Sequence, residues 1–244
     1  FTWSKDKEGR DWIAVSCEGE GARIWWPNKD HITAEGDSVR MVYTVPDNMV
    51  AVGNGKLKSV SSKNNKSTYE WFVSNPINNY NISVQIGNYV AIQDTLIKNN
   101  QIHMLDHYVL DYNKELGSNY FQQSKEIIRF YEKYFGDYQW YEDGYKLIEV
   151  PYLGMEHQSA VTYGNGFSIY NGVRSKSWPM YGVIDPLIIH ETGHEWFGNS
   201  VTASDPTHIW IHEGLQVYSE AIYFEDKFDS YEVGVHYLNT LKNR

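Results

Sequence analysis

The sequence predicts an α+β protein, with its strands gathered in the first part and its helices in the second. Three observations carry this prediction. Short runs of β-branched and aromatic residues, separated by Asn- and Gly-containing breaks, fill the chain up to residue 108. From residue 109 the apolar residues recur at helical spacing instead. Further on, the stretch 185–199 carries helix start and stop signals, and 209–222 passes from a short apolar run into a helical pattern. The division therefore falls into a mainly-β region, 1–108, and a mostly helical region, 109–244.

Taken in order, Val39 to Val45 alternates apolar and polar residues, and Tyr69 to Val73 and Ile82 to Val90 have strand composition. Asn54-Gly55, Lys63-Asn64-Asn65, Asn75-Pro76, Asn78-Asn79 and Asn99-Asn100 are the turns between them. Tyr120, Phe121, Ile127, Ile128, Tyr131 and Tyr134 form the core stripe of a helical stretch that stops at Gly136. Lys146 to Val150 and Ser159 to Tyr163 are short strands on either side of Gly154-Met155-Glu156-His157. Asp185 is an N-cap, with Pro186 at the first helical position and Gly198-Asn199 as the stop. The apolar run Ile209 to Ile211 leads into a last helix with Leu215, Tyr218 and Ile222 on one face.

Composition narrows the function classes. The 41% of hydrophobic residues in 244 supports a substantial core in one or two domains. No apolar run is long enough for a transmembrane helix, no signal peptide is visible, and neither a cytoplasmic nor an exported location is assigned. A single cysteine, Cys17, excludes an intrachain disulfide and a cysteine-rich zinc site. The net charge of −10 argues against nucleic-acid binding and suits a partner with positive charge, such as a peptide N-terminus.

One motif carries chemistry. In His190-Glu191-Thr192-Gly193-His194 the two histidines stand four apart, so on a helix both imidazoles reach one metal ion. Glu191 is then placed beside that ion as a proton acceptor for a bound water. Two ordinary helix histidines with a surface glutamate are the plain alternative. The metzincin form is excluded, because it needs Gly and His where this chain has Phe197 and Ser200. Glu213, Asp205, His208, His212 and Glu220 all remain as third ligands on spacing alone.

The full pattern, HETGH followed after eighteen residues by Glu213 in Trp210-Ile211-His212-Glu213-Gly214, resembles the gluzincin zinc aminopeptidases, the group of aminopeptidase N and leukotriene hydrolase. Val150-Pro151-Tyr152-Leu153-Gly154-Met155-Glu156 is similar to the family's Gly-x-Met-Glu-Asn motif, thirty-four residues ahead of His190. Cys17-Glu18-Gly19-Glu20-Gly21-Ala22-Arg23, leading to Trp26-Pro27, resembles a third family segment.

The resemblance implies the later part of an N-terminal β domain followed by the first part of a thermolysin-like catalytic domain. It implies one Zn2+ per chain, held by His190, His194 and Glu213, with Glu191 as general base. It also implies peptide substrates with a free N-terminus, whose amine is held by Glu156 and Glu18, with Glu20 as fallback for the latter. Backbone groups of Gly154 and Met155 then face the scissile carbonyl, and Tyr152 lines the pocket. His157 stands where the family has asparagine, and the family's transition-state tyrosine falls beyond Arg244. Two alternatives stay open: hydrolysis of an epoxide, and a catalytically silent module stabilised by its metal. A closed structural site has no use for a base, so the intact Glu191 speaks against the silent module.

Overall fold

The structure is a computed structural model that describes residues 1–18, 21–29, 31–168 and 184–242. Strands come first: β1 (Thr2–Lys5), β2 (Asp11–Ala14), β3 (Glu35–Gly36), β4 (Val39–Pro46), β5 (Val50–Gly53), β6 (Lys56–Lys63), β7 (Lys66–Val73), β8 (Ile77–Asn78), β9 (Val84–Gly87), β10 (Tyr89–Lys98) and β11 (Gln101–Leu110). Helices α1 (Lys114–Tyr120) and α2 (Gln123–Phe135) follow, then β12 (Leu147–Glu149), β13 (Gly154–Met155) and β14 (Val161–Tyr163). Helices α3 (Pro186–Gly193), α4 (Trp210–Phe228) and α5 (Tyr231–Leu241) complete the described chain.

The sheets have the orders β1-β2-β9-β5, β4-β7-β6, β3-β8 and β10-β11-β12-β14-β13. Two hairpins turn on asparagine pairs with positive φ, Asn64 and Asn65 at 53° and 58°, and Asn99 and Asn100 at 50° and 60°. These are the left-handed conformations that two-residue hairpin loops require, and asparagine tolerates them. The run 82–90 is not one strand. It breaks at Asn88, whose side chain donates to the Asn48 carbonyl (2.8 Å) while its carbonyl accepts from Asp111 N–H (3.0 Å). β9 and β10 consequently join different sheets, and β10–β11 pair onward to β12, so one sheet draws strands from both sides of residue 108.

The helical stripe is split by a turn at Phe121-Gln122 into α1 and α2. Phe121, Ile127, Ile128 and Tyr131 are fully buried, whereas Tyr134 emerges at the helix end. Asp185 caps α3 by accepting the Leu187 N–H at 2.9 Å, and its carboxylate also accepts from the Tyr120 and Tyr163 hydroxyls (2.7 and 2.8 Å). The start of α3 is thereby fixed to β14 and α1. The regular part of α3 ends at Gly193, one turn ahead of the stop predicted at Gly198-Asn199. Beyond it the coil widens: the N–H groups of Asn199, Ser200 and Val201 each reach back five residues, and Gly198 takes φ 123°.

Helix α4 departs further from its predicted face. Tyr218 is 55% exposed, and the buried side carries His212, Gln216, Ser219, Glu220 and Tyr223 instead. That side meets α3 and Tyr131, where polar groups need partners. Gln216 Nε2 donates to the Tyr131 hydroxyl (2.8 Å) and to the Ile189 carbonyl (3.2 Å), and Ser219 Oγ bonds Tyr131 at 2.9 Å. Apolar periodicity cannot find a buried face built this way.

A buried polar seam joins the strand-rich part to the helices. Asn54 Nδ2 donates to the carbonyls of Asn81 (2.9 Å) and Gln158 (2.8 Å), and its Oδ1 accepts the Ser83 N–H (2.8 Å). Asn81 Nδ2 donates to Asn199 Oδ1 at 2.7 Å. Asn199 Nδ2 in turn donates to the Glu156 carbonyl (2.9 Å) and to Glu195 (3.2 Å). The buried Lys146 ammonium donates to the Gly55 carbonyl from the other side. Among the described residues no helix is long and apolar enough to cross a membrane.

Gly193 lies where α3 approaches α2 and α4, and a Cβ there would run into Gln216 Oε1 and the Tyr131 ring and hydroxyl. Alanine would gain up to about 1 kcal/mol in helix propensity. Overpacking costs about 1–3 kcal/mol and outweighs it. Gly193→Ala is therefore expected to lower stability in urea denaturation, and an unchanged midpoint would show that this contact is looser than described.

Candidate metal centre and active site

His190 lies in the last turn of α3 and His194 is its C-cap. Their rings meet edge to face with centroids 4.7 Å apart, and the two Nε2 atoms are 3.2 Å apart. Glu213, in the first turn of α4, brings one carboxylate oxygen to 3.5 Å from His190 Nε2 and the other to 3.5 Å from His194 Nε2. The far nitrogens fix the tautomers. His194 Nδ1 faces the Phe197 carbonyl at 2.8 Å, an acceptor only, so it carries the proton. His190 Nδ1 faces Glu220 at 2.6 Å and does the same.

Each Nε2 thus turns a lone pair towards the Glu213 carboxylate, and the cluster calls for a cation at its centre. Burial opposes charge on His190, yet Glu213 and Glu220 hold it up to about 10. Burial and the His190 charge push His194 down to about 3. Burial also opposes charge on Glu213, but the imidazoles bring it down to about 2. A proton on His190 is one such cation, and a metal ion in its place is the other. Ligand atoms bound at 2.0–2.2 Å around a tetrahedral ion stand roughly 3.2–3.6 Å apart, which the observed 3.2 and 3.5 Å separations meet. Two imidazoles and one carboxylate are also a donor set that zinc takes when a fourth position stays open.

The other ligand candidates lie elsewhere. Glu220 is fully buried behind His190, with the Tyr237 hydroxyl of α5 donating to its second oxygen. Asp205 caps a short turn by accepting the Thr207 N–H at 2.8 Å, and His208 belongs to that turn. His212 Nε2 accepts the Ala203 N–H at 2.9 Å.

Glu191 and Glu156 are both buried and form a second converging group with His194. Gly154, on the edge strand β13, makes room for the first of them. A Cβ on Gly154 would stand 2.5 Å from Glu191 Oε1 and 2.9 Å from its Cδ. Met155 beside it is buried, and its carbonyl accepts the Thr162 hydroxyl at 3.1 Å. Glu156 Oε1 is buried without a hydrogen bond. Burial, then Glu191, Glu213 and Glu18, raise the Glu156 carboxyl well above the usual range. So many carboxylates around one centre favour positively charged ligands.

Glu18 stands at the exposed rim, raised by burial and by Glu213 and lowered by His190. Glu20 lies outside the described residues. Tyr152 is half-buried against the site, but its hydroxyl is committed to the Val15 carbonyl (2.9 Å) and Thr162 (3.1 Å). His157 is fully buried with neither ring nitrogen hydrogen-bonded, and burial pushes it down to about 3. Sequence reasoning missed Tyr80, Asn81, Glu195 and Asn199. Glu195, buried and raised to about 8 by burial, accepts the Ser159 N–H at 2.7 Å and so ties the loop after β13 to the histidine segment. No periodicity marks such residues, since their role depends on partners distant in sequence.

The Peptidase family M1 domain matches residues 120–244, just over half of the chain. A leucyl aminopeptidase of Saccharolobus solfataricus is 24% identical over 216 residues, which are 84% of this chain and 26% of that protein. Human endoplasmic reticulum aminopeptidase 2 is 33% identical over 126 residues, 47% of this chain and 12% of that one. The chain thus spans about a quarter or less of these two relatives. The crystal structure of an M1 zinc metallopeptidase from Deinococcus radiodurans superposes with a TM-score of 0.70 at 19% identity, covering 92% of this chain and 48% of that one. That likeness shows the fold: strands first, then helices. The match over residues 120–244, two histidines and a glutamate converging within it, and the shared fold establish that the chain belongs to peptidase family M1.

Proposed function

We propose that the chain carries the catalytic centre of a zinc-dependent aminopeptidase, which hydrolyses the N-terminal peptide bond of peptides with a free amine. The observation that carries this reading is the convergence of His190, His194 and Glu213 on one point with Glu191 directly beside it. The names of the relatives, leucyl aminopeptidase and endoplasmic reticulum aminopeptidase 2, support the same activity.

His190 Nε2, His194 Nε2 and the Glu213 carboxylate would hold the zinc. When bound, the ion acidifies a water and polarises the scissile carbonyl. Glu191 takes the proton of the attacking water and returns it to the leaving amine. Its carboxylate keeps that position because Gly154 leaves it the space. Backbone groups of Gly154 and Met155, on β13 at the edge of the sheet among the described residues, line the scissile bond, and an N–H there donates to the developing oxyanion. Glu156 accepts hydrogen bonds from the substrate's α-ammonium group, with Glu18 closing over it from the rim, and Tyr152 forms part of the pocket wall. A buried carboxylate beside the reacting centre favours an ammonium-bearing peptide over an uncharged epoxide, and a base beside the cluster favours hydrolysis over a silent module.

Three variants separate these roles. Glu191→Gln is expected to retain one zinc per chain by mass spectrometry while turnover of an aminoacyl anilide falls by about a hundred- to ten-thousandfold; full activity would exclude Glu191 as the base. Gly154→Ala should also keep its zinc but lose at least about tenfold in kcat, because the added methyl displaces the Glu191 carboxylate. Glu156→Ala should damage cleavage of free-amine substrates selectively. If N-acetylated analogues suffer equally, Glu156 does not read the amine.

A further inference from the structure

Tyr80 comes from the strand-rich part, in the short turn that follows β8, yet it lies at the metal centre. Its ring is stacked on His212, the neighbour of Glu213, with centroids 6.4 Å apart and planes 25° off parallel. The turn is held on both flanks. Asn78 Nδ2 donates to the Thr202 hydroxyl (3.0 Å), and Asn81 Nδ2 donates to Asn199 Oδ1 (2.7 Å). Both partners belong to the loop leaving the histidine segment, so Tyr80 cannot swing out of the site without breaking the seam.

The Tyr80 hydroxyl is sealed from solvent and makes no hydrogen bond of normal geometry, although Glu156, Asn81 and Glu213 lie close enough to act on it. Glu156 Oε1 is the matching case, a buried carboxylate oxygen with no donor. Buried polar atoms almost always have partners, so two such atoms at one functional site ask for a common explanation. Burial, together with Glu156, raises the Tyr80 phenol far above its ordinary range, so it remains a donor whenever the carboxylate needs one.

We propose that Tyr80 is a substrate-positioning residue: as Glu156 engages the α-ammonium of a peptide, the Tyr80 hydroxyl donates to Glu156 Oε1 and aims the carboxylate at the amine. This deepens the aminopeptidase reading and rests on Glu156 as the amine acceptor. An ammonium ligand requires Glu156 to be ionised, and an ionised carboxylate buried this far needs donors on both oxygens. Tyr80 is the hydroxyl that the fold holds ready beside it.

The test is Tyr80→Phe in the zinc-loaded protein, titrated calorimetrically with L-leucinamide and with N-acetyl-L-leucinamide. Zinc content and melting temperature should be unchanged, because the hydroxyl has no well-formed hydrogen bond to lose in the free protein. Affinity for L-leucinamide should fall by roughly tenfold or more, the usual effect of losing a hydrogen bond to a charged group, and that for the acetylated ligand should not move. In kinetics, KM for an aminoacyl anilide should rise with little change in kcat. Unchanged affinity for L-leucinamide, equal losses with both ligands, or a lower melting temperature without an amine-specific loss would each overturn the proposal. A wild-type protein that does not prefer the free amine would overturn the Glu156 reading and this proposal with it. A wild type that does, beside a variant that keeps the full preference, would overturn the Tyr80 role alone.

Discussion

Everything at this site depends on which way two imidazoles are made to face. Spacing of four residues brings His190 and His194 to one side of a helix but does not orient their rings. Orientation comes from the far nitrogens: Glu220 accepts the hydrogen bond of His190 Nδ1–H, and the Phe197 carbonyl accepts that of His194 Nδ1–H. Each anchor has its own support. Glu220 is buried on α4 with Tyr237 of α5 on its other oxygen, so α5 braces His190. The Phe197 carbonyl reaches His194 because the coil after Gly193 widens instead of stopping cleanly. With both Nε2 lone pairs turned inward, Glu213 adds negative charge, and the cluster suits a cation better than any neutral occupant.

Close approach is the second constraint, and it explains two glycines by what surrounds them. Gly193 lets α3 settle against Tyr131 and Gln216, which places the histidine helix at the depth where Glu213 can reach it. Gly154 gives its side-chain volume to the Glu191 carboxylate. In both places the missing methyl is what allows a functional group to stand where it does. The two positions differ in consequence: one governs how the helices pack, the other the location of the Glu191 carboxylate.

Much of this was legible in the sequence, for identifiable reasons. HETGH with Glu213, the Asp185-Pro186 start and the asparagine hairpins are local signals, in which the residue type and its spacing already state the geometry. The α4 face was misread because Leu215, Tyr218 and Ile222 form an apolar row, whereas the buried row satisfies polar groups on α2 and α3. Periodicity reports hydrophobicity, and this interface is built from hydrogen bonds. In the sequence Asn54 reads only as a turn residue, a role common for exposed asparagine, and Asn81 carries no structural signal. Here both are completely buried, and their amides bridge segments more than a hundred residues apart.

That bridging changes what the strand-rich part is for. Asn54 binds the Gln158 carbonyl and the Gly55 N–H binds Ser159 Oγ, so the loop after β13 is held from the β side. The same loop is held from the helical side by Glu195 and Asn199. Glu156 sits between these two sets of bonds, and its position is defined only when both are present. A carboxylate on a free loop would relax towards water and away from three other acidic groups. One clamped by backbone bonds on either side stays buried among them, ready for a cation. The β part is therefore a wall of the site as well as its neighbour: it contributes the clamp, the Tyr80 ring against His212, and the Glu18 rim. A helical half folded without it would keep the histidine pair and Glu213 but would lose what fixes Glu156 in place.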